Sequence, residues 1–507
     1  MEKRLMLAML LSMLVVLLWS ASIPKPATAP SQAASTSTVV LPEQKPVLPT
    51  LLQAEEESPT IKWDTKDFSA AFIESSAAVK EVSFNNYHND RLVLGAGFAI
   101  APFSSGFKKQ NSTENSISFS YQDADKEIVK VFNLRKSNYS IDLHVKVKNT
   151  SAGKLKIELP LLLGLTDSRQ GLVRDSQNGH YPAQEMTVAS KDKIIHWRAN
   201  KDKLFENVKF LGLSSRYFCA IANPSDQEAI TGYVKKVNNQ VSEFGINPAV
   251  LSLDPGQEKE FLYHIYMGPR DLQFINAVDQ GWSAVVYFGT FDIISQILLQ
   301  VLNFFHNFVH NWGLAIILLS IFVYIVLYPL TLKQMRSMKE MQVLQPKVEA
   351  LRKQYKDNPQ KMNKEVMELY REHKVNPLGG CLPLLLQMPI FFALYQALLN
   401  SISLKGARFL WIQDLSTPDR LYVLKHTGGS FDINLLPILM TIGMFIQQKI
   451  SSPQMGGGQN QQQKMMLILM PLLFGFIFYT MPSGLVLYWF VNSTLMLVYQ
   501  WHIYKAK

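Results

Sequence analysis

The sequence predicts a mixed fold: a polytopic α-helical membrane bundle joined to a large extracytoplasmic all-β domain. Three observations predict it. Five apolar runs, Gly313–Thr331, Cys381–Ser401, Ile433–Gln448, Met465–Met481 and Leu485–Trp501, contain no Asp, Glu, Lys or Arg. Each is close to the length that crosses a hydrocarbon core as a helix, the form in which a single segment satisfies its own backbone polar groups. Residues from about 60 to 280 instead alternate polar and apolar, and basic residues gather beside the apolar runs.

The first element is Met1-Glu2-Lys3-Arg4 followed by the apolar run Leu5–Trp19. It reads either as a signal peptide, with Ser20-Ala21-Ser22 as a cleavage site, or as an uncleaved anchor over 1–21. Either way Lys3 and Arg4 stay in the cytoplasm and the next segment crosses. Residues 22–60, rich in Pro, Ser, Ala and Thr with the cluster Glu55-Glu56-Glu57, form a linker too poor in apolar surface to order itself.

The β domain is expected over 61–285. Ile141, Leu143, Val145 and Val147 alternate with Asp142, His144, Lys146 and Lys148, and a turn over Asn149–Gly153 follows. Ile117, Phe119 and Tyr121 alternate likewise, as do Phe261, Tyr263 and Ile265. Period two over this many segments predicts a large antiparallel sandwich. The two cysteines, Cys219 and Cys381, stand in unlike settings, so neither a disulfide framework nor a Cys-rich metal site is expected, and both read as small buried residues.

Over 286–311 the period changes. Asp292, Gln296, Gln300, Asn303, Asn307 and His310 recur at helical spacing among Ile293, Ile297, Leu298, Val301, Leu302, Phe304, Phe305, Phe308 and Val309. This amphipathic helix either lies along the outer membrane interface or caps the sandwich.

The core of five spans occupies 312–507, interrupted by a charged insert over 332–378. The insert holds eleven basic residues, among them Lys347, Arg352, Lys353 and Lys356, against six acidic ones, a net of +5. The positive-inside rule puts it in the cytoplasm, together with the loop between Lys449 and Lys464 and the tail with Lys505 and Lys507. With the N-terminal run this makes six spans and both termini cytoplasmic. Met338, Met341, Val348, Leu351 and Tyr355, then Met362, Val366, Leu369 and Tyr370, mark two apolar stripes broken at Asp357-Asn358-Pro359, so the insert is a helical hairpin. It is either a solvated connector or a contact surface for ribosome, nascent chain or anionic headgroups. The overall charge of +10 is explained by these membrane-flanking residues, and no nucleic acid is expected as a specific ligand.

Polar residues inside the spans fall in stripes: Ser320, Tyr324, Tyr328 and Thr331; Gln387 and Tyr395; Thr441 and Gln448; Tyr488, Asn492 and Tyr499. They either hydrogen-bond neighbouring helices or converge on a polar groove that holds a passing peptide. Ion-coupled transporters place ionisable residues within their spans, and these spans have no charged residue and no paired discontinuous repeats. Gly456-Gly457-Gly458 is not followed by the Lys-Ser/Thr pair of a phosphate loop, and HExxH and GxSxG do not occur. No enzymatic activity and no cofactor are expected. The rival readings are a small-solute transporter and a membrane-anchored carbohydrate-active protein.

Asn311-Trp312-Gly313, Tyr328-Pro329-Leu330-Thr331, Leu344-Gln345-Pro346-Lys347, Asn376-Pro377-Leu378-Gly379-Gly380-Cys381, Gln387-Met388-Pro389-Ile390-Phe391 and Pro482-Ser483-Gly484-Leu485, with Tyr488, closely resemble the YidC membrane-protein insertase family. The β domain resembles that of the Gram-negative form, which implies a β-supersandwich in the periplasm. The resemblance implies an insertase and chaperone of the bacterial inner membrane, working alone or with the Sec translocon and its accessory subunits. It implies a groove, open to cytoplasm and lipid, that holds nascent membrane proteins and releases them into the bilayer. The matching positions are Ser320, Met388, Phe391, Tyr488 and Trp489, beside the stripe residues Tyr324, Tyr328, Gln387 and Asn492. One departure stands out: the family commonly carries an arginine four residues before the Tyr-Pro-Leu-Thr motif, where this chain has Tyr324. A phenol offers a hydrogen bond and an aromatic face in place of a fixed positive charge.

Overall fold

All four apolar residues of the strand Ser140–Asn149 that alternate with charged ones are buried in the computed structural model of the protein. The structure describes residues 59–505 except 88–89, 102, 104, 137–138, 168–184, 192, 198–200, 226–229, 238–240, 356–357, 374, 376–381, 427–428 and 452–460. The expected N-terminal anchor, most of the linker, Lys356 and Cys381 lie outside the described residues.

The strand pairs antiparallel with Lys126–Leu134 on one side and Glu258–Pro269 on the other, setting Phe261, Tyr263 and Ile265 opposite Val145, Leu143 and Ile141. These three are the middle of a nine-stranded antiparallel sheet. A four-stranded meander, Thr60–Asp64, Phe68–Ile73, Ala78–Phe84 and Asp90–Gly97, packs against it, with Phe72 wedged between Phe119 and Phe132 at ring distances of 5.3 and 5.1 Å. A second four-stranded sheet, Leu161–Asp167, Val241–Asn247, Thr231–Lys236 and Lys203–Phe205, joins the same core. Cys219 is buried in it as a free thiol.

One residue breaks the alternation. Lys130 sits on the inward face of its strand between Ile128 and Phe132 and is fully buried. Its Nζ donates to the carbonyls of Ala77 and Phe98 and lies over the rings of Phe107 and Phe132. Ala77 and Phe98 both have positive φ, 49° and 60°, a conformation costly for residues with a side chain. The lysine therefore braces two strained turns.

After the short helix α1 (Leu272–Asn276) comes the amphipathic α2 (Asp292–Val309). It shows three faces. Ser295, Leu298 and Leu302 are buried, Ile293, Ile297, Phe304 and Phe308 are exposed, and the Gln and Asn residues lie beside the exposed apolar strip. Asn311 then caps α3 (Trp312–Gln354), its Oδ1 accepting from the Leu314 amide. α3 runs as one helix through the first apolar run and on into the charged insert, which a turn and α4 (Pro359–Glu372) complete as a hairpin. Among the residues whose side chains are described, α3 buries Leu344 and Val348 there. Leu344 lies outside the expected stripe, because the span's helical phase carries through into the insert and no break resets it.

α5 (Leu382–Asn400), α6 (Leu435–Ser451), α7 (Gln461–Phe478) and α8 (Ser483–Lys505) match the other four apolar runs. Among the described residues one stretch, Trp312–Leu332, is long and apolar enough by itself to cross a membrane, and Leu435–Ile450 and Ile468–Phe478 are shorter apolar helices. Ile442, Phe445, Leu472, Leu473 and Phe476 are exposed along α6 and α7. Gly475 of α7 lies so close to Thr441 of α6 that no side chain fits between them. The linker after α5 carries a β-hairpin, Tyr422–His426 with Gly429–Ile433, which periodicity did not announce. There the buried carboxylate of Asp419 accepts from the Leu436 amide (2.8 Å) and the Trp411 indole (3.2 Å), holding an anion at the N-terminus of α6.

The β domain is tied down at a seam. Arg216 Nε donates to the Leu399 carbonyl in the last turn of α5 (2.7 Å) and Lys405 pairs with Asp90, while α2 is held to α5 by Ser295, whose Oγ donates to the Ala393 carbonyl (2.9 Å).

Burial pushes the Lys130 ammonium from 10.5 down to about 7. The unfolded chain keeps its proton across that window while the fold releases it, so this group lets stability rise with pH between about 7 and 10. Measured as thermal unfolding of the full chain in detergent, wild type should gain on Lys130→Met by up to about 1.4 kcal/mol per pH unit in that range. A pH-independent difference would show that Lys130 keeps an ordinary ammonium.

Candidate functional site

The stripe on α3 divides by how its hydroxyls are satisfied. Ser320 is fully buried and its Oγ donates to the Ile316 carbonyl (2.8 Å); Thr331 does the same toward Leu327 (3.1 Å). Such i−4 bonds let a hydroxyl sit in an apolar helix without a tertiary partner. The tyrosines cannot reach back in this way. Tyr324 is half-buried, and its hydroxyl is buried with no hydrogen-bond partner. Tyr328, one turn on, is 38% exposed. The two rings lie 6.3 Å apart, and Tyr328 meets Tyr499 of α8 edge-on at 5.5 Å. Tyr324, Tyr328 and Tyr499 thus form a ladder across the α3–α8 contact. Pro329 has no N–H to give the Ile325 carbonyl, which leaves a backbone acceptor between the first two rungs.

A second polar contact joins α5 to α8. Gln387 Nε2 donates to the Tyr488 hydroxyl (2.9 Å), and Tyr488 is fully buried. Asn492, one turn along on the same side of α8, is half-buried. Trp489, the neighbour of Tyr488, is rotated about 100° around the helix and enters a different set. It meets Phe391 at 5.2 Å, Phe478 at 5.3 Å and Phe474 at 6.1 Å, linking α5, α7 and α8. Met388, beside Gln387, is 39% exposed. The chosen residues therefore separate into a polar set (Tyr324, Tyr328, Gln387, Tyr488, Asn492) and an aromatic and thioether set (Met388, Phe391, Trp489). Ser320 is enclosed in the packing between helices.

In the hairpin, Lys347 Nζ lies 3.1 Å from His373 Nε2. His373 Nδ1 lies 2.9 Å from the Leu369 carbonyl, to which it donates, so Nε2 is the acceptor for the lysine. Arg352 and Lys353 project into solvent near the tip. Among the described residues, no three His, Cys, Asp or Glu are placed to hold a metal ion.

Sequence reasoning missed Phe474 and Phe478, which packing alone reveals, and the outer bracing at Asn434, whose Nδ2 donates to the Tyr479 carbonyl (2.7 Å). An Asn at the start of an apolar run, as Asn434 is one residue before α6 begins, was the available signal.

Residues 304–507 match the family model described as 60Kd inner membrane protein, and residues 98–301 match that of the YidC periplasmic domain. The chain is 32% identical to the protein named Membrane protein insertase YidC of Geotalea daltonii, over 100% of this chain and 99% of the relative. It is 32% identical to the protein of the same name from Geobacter metallireducens, with the same coverage. Among solved structures it is similar to the YidC insertase crystal structure with the first transmembrane domain resolved, at 20% identity and a TM-score of 0.41, covering 87% of this chain and 92% of that one.

If the Gln387–Tyr488 bond joins the helices energetically, a double-mutant cycle with Gln387→Leu and Tyr488→Phe should give a coupling of about 0.6 kcal/mol, the size typical of interhelical bonds in membranes. Unfolding of the full chain in mixed micelles reads it. Strict additivity would mean that the contact is geometric only.

Proposed function

The chain belongs to the YidC membrane protein insertase family, and we propose that it handles its substrates through an intramembrane groove that carries no fixed charge. It is a membrane protein insertase of the inner membrane with a periplasmic domain, and its substrates are nascent membrane proteins. In the finer reading the chain crosses six times, counting residues 1–21, with both termini and the hairpin in the cytoplasm. The uncharged apolar runs and the net charge of +5 in the insert support this topology.

The polar set forms the wall of the groove and the aromatic set its shoulder toward lipid. The observation that carries this is the ladder of Tyr324, Tyr328 and Tyr499, with one phenol lacking a partner and one open to the outside, in apolar runs without a charged residue. Leaving a polar group unsatisfied in hydrocarbon costs several kcal/mol. Phenols, an amide and the carbonyl freed by Pro329 supply partners along the way and lower that barrier. The substrate's apolar segment meets Met388, Phe391 and Trp489 and then leaves for lipid, where its own burial drives the process. No nucleotide enters this scheme. Arg352, Lys353 and Lys356 at the hairpin are the surface for a ribosome or an emerging chain, and the Sec translocon with its accessory subunits is a further partner in this reading.

Photo-crosslinkers at Tyr328 and Met388, the exposed members of the two sets, should label a stalled nascent membrane protein. A crosslinker at enclosed Ser320 should label it weakly; the reverse order would remove the groove from this face. Tyr324→Arg should alter insertion of substrates with acidic translocated tails several-fold more than that of substrates with neutral tails. An equal change in both would mean that charge at this position is not read.

A further inference from the structure

A cavity of about 410 Å³ lies where α1, α2 and the end of α5 meet, and a smaller one of about 110 Å³ adjoins it, sharing Arg270, Phe288 and Asn400 in their walls. Nothing in the insertion mechanism uses either. The larger one has an unusual lining. One guanidinium, Arg270, and one carboxylate, Asp271, stand among neutral amides, of which Gln300, Asn303 and Asn400 come from two different helices. Arg270 is buried. Its Nη atoms donate to the carbonyls of Tyr287 and Ser215, and the nearest carboxylate oxygen, on Glu185, is 4.0 Å away. Its Nε has no partner, and neither does the buried Oγ of Ser214 in the smaller cavity. A buried cation that is not fully neutralised favours an anionic ligand. Asp271 uses Oδ1 to accept from the Gln273 amide, and burial pushes its carboxyl up from the usual range, so a neighbouring cation would favour its charged form.

The position of the cavity selects among zwitterions. The amides of α2 that line it lie directly beside the strip Ile293, Ile297, Phe304 and Phe308, which is exposed to the outside, and Phe304 belongs to both. A ligand with its polar part in the cavity would continue onto an apolar surface.

We propose that this seam binds a zwitterionic phospholipid of the outer leaflet, its phosphate toward Arg270, its ammonium toward Asp271, its glycerol region among Gln300 and Asn303, and an acyl chain along the exposed strip of α2. The lipid would then be a third tie between the β domain and the bundle, beside the contacts of Arg216 and Lys405.

The test is native mass spectrometry of the full chain released from nanodiscs holding equal amounts of phosphatidylethanolamine and phosphatidylglycerol with matched acyl chains. Wild type should retain the ethanolamine lipid in at least several-fold excess. Asp271→Asn, which preserves the capping ability of the side chain, should bring the ratio to unity or reverse it. Asn303→Leu should reduce retention of both lipids while leaving the thermal midpoint of the chain in lipid-free detergent unchanged. Equal retention of the two lipids by wild type would overturn the proposal, as would a ratio unmoved by Asp271→Asn or binding unaffected by Asn303→Leu.

Discussion

Hydrocarbon offers no hydrogen-bond partner, and the bundle is organised around that fact. Each of the five apolar runs satisfies its backbone by being helical. Its polar side chains are admitted in three forms: hydroxyls that bond their own helix, as at Ser320 and Thr331; a side-chain pair between helices, as at Gln387 and Tyr488; and phenols set in a ladder, as at Tyr324, Tyr328 and Tyr499. The first two forms already spend a donor on a partner. The third includes a phenol with no partner, Tyr324, and it stands beside Pro329, where the helix itself gives up a bond. A neutral phenol left without a partner costs less there than an unpaired buried guanidinium would.

Outside the bilayer the same accounting is run with charge. Lys130 is kept in the sandwich core because two carbonyls of strained residues need a donor there, and Asp419 is kept in a buried linker because it serves the Leu436 amide in the first turn of α6. Arg216 sits at the last turn of α5, where carbonyls lack intrahelical partners. At each of these points an ionisable group completes a backbone that cannot complete itself.

Much of this was legible in the sequence. The alternation around Ile141–Val147 is a local property, and it named the inward face correctly. The polar spacing of α2 and the five uncharged runs were equally local. The candidate residues were legible as stripes, but a stripe is only a direction on one helix. Which stripe meets which depends on rotation and tilt of neighbours, and so Tyr488 and Trp489, adjacent in the chain and named together, enter different contacts: Tyr488 meets Gln387 of α5, while Trp489 meets Phe391 of α5 and Phe474 and Phe478 of α7. The sorting of Phe391 with Phe474 and Phe478 is tertiary for the same reason. The uninterrupted passage of α3 into the insert was hidden because composition changes sharply at Leu332 while helical propensity does not.

That continuous helix is held firmly at one end. Asn311 caps it, and the Phe409 ring lies against Gly313 with no room between. Its other end, at Gln354, is about 63 Å away, with the tyrosines at about 18 and 24 Å from the fixed point. The arrangement is a cantilever clamped at its root. Load applied at the tip bends most of the beam's length before it reaches the clamp, so a wide swing of the hairpin would arrive at the aromatic rungs strongly reduced.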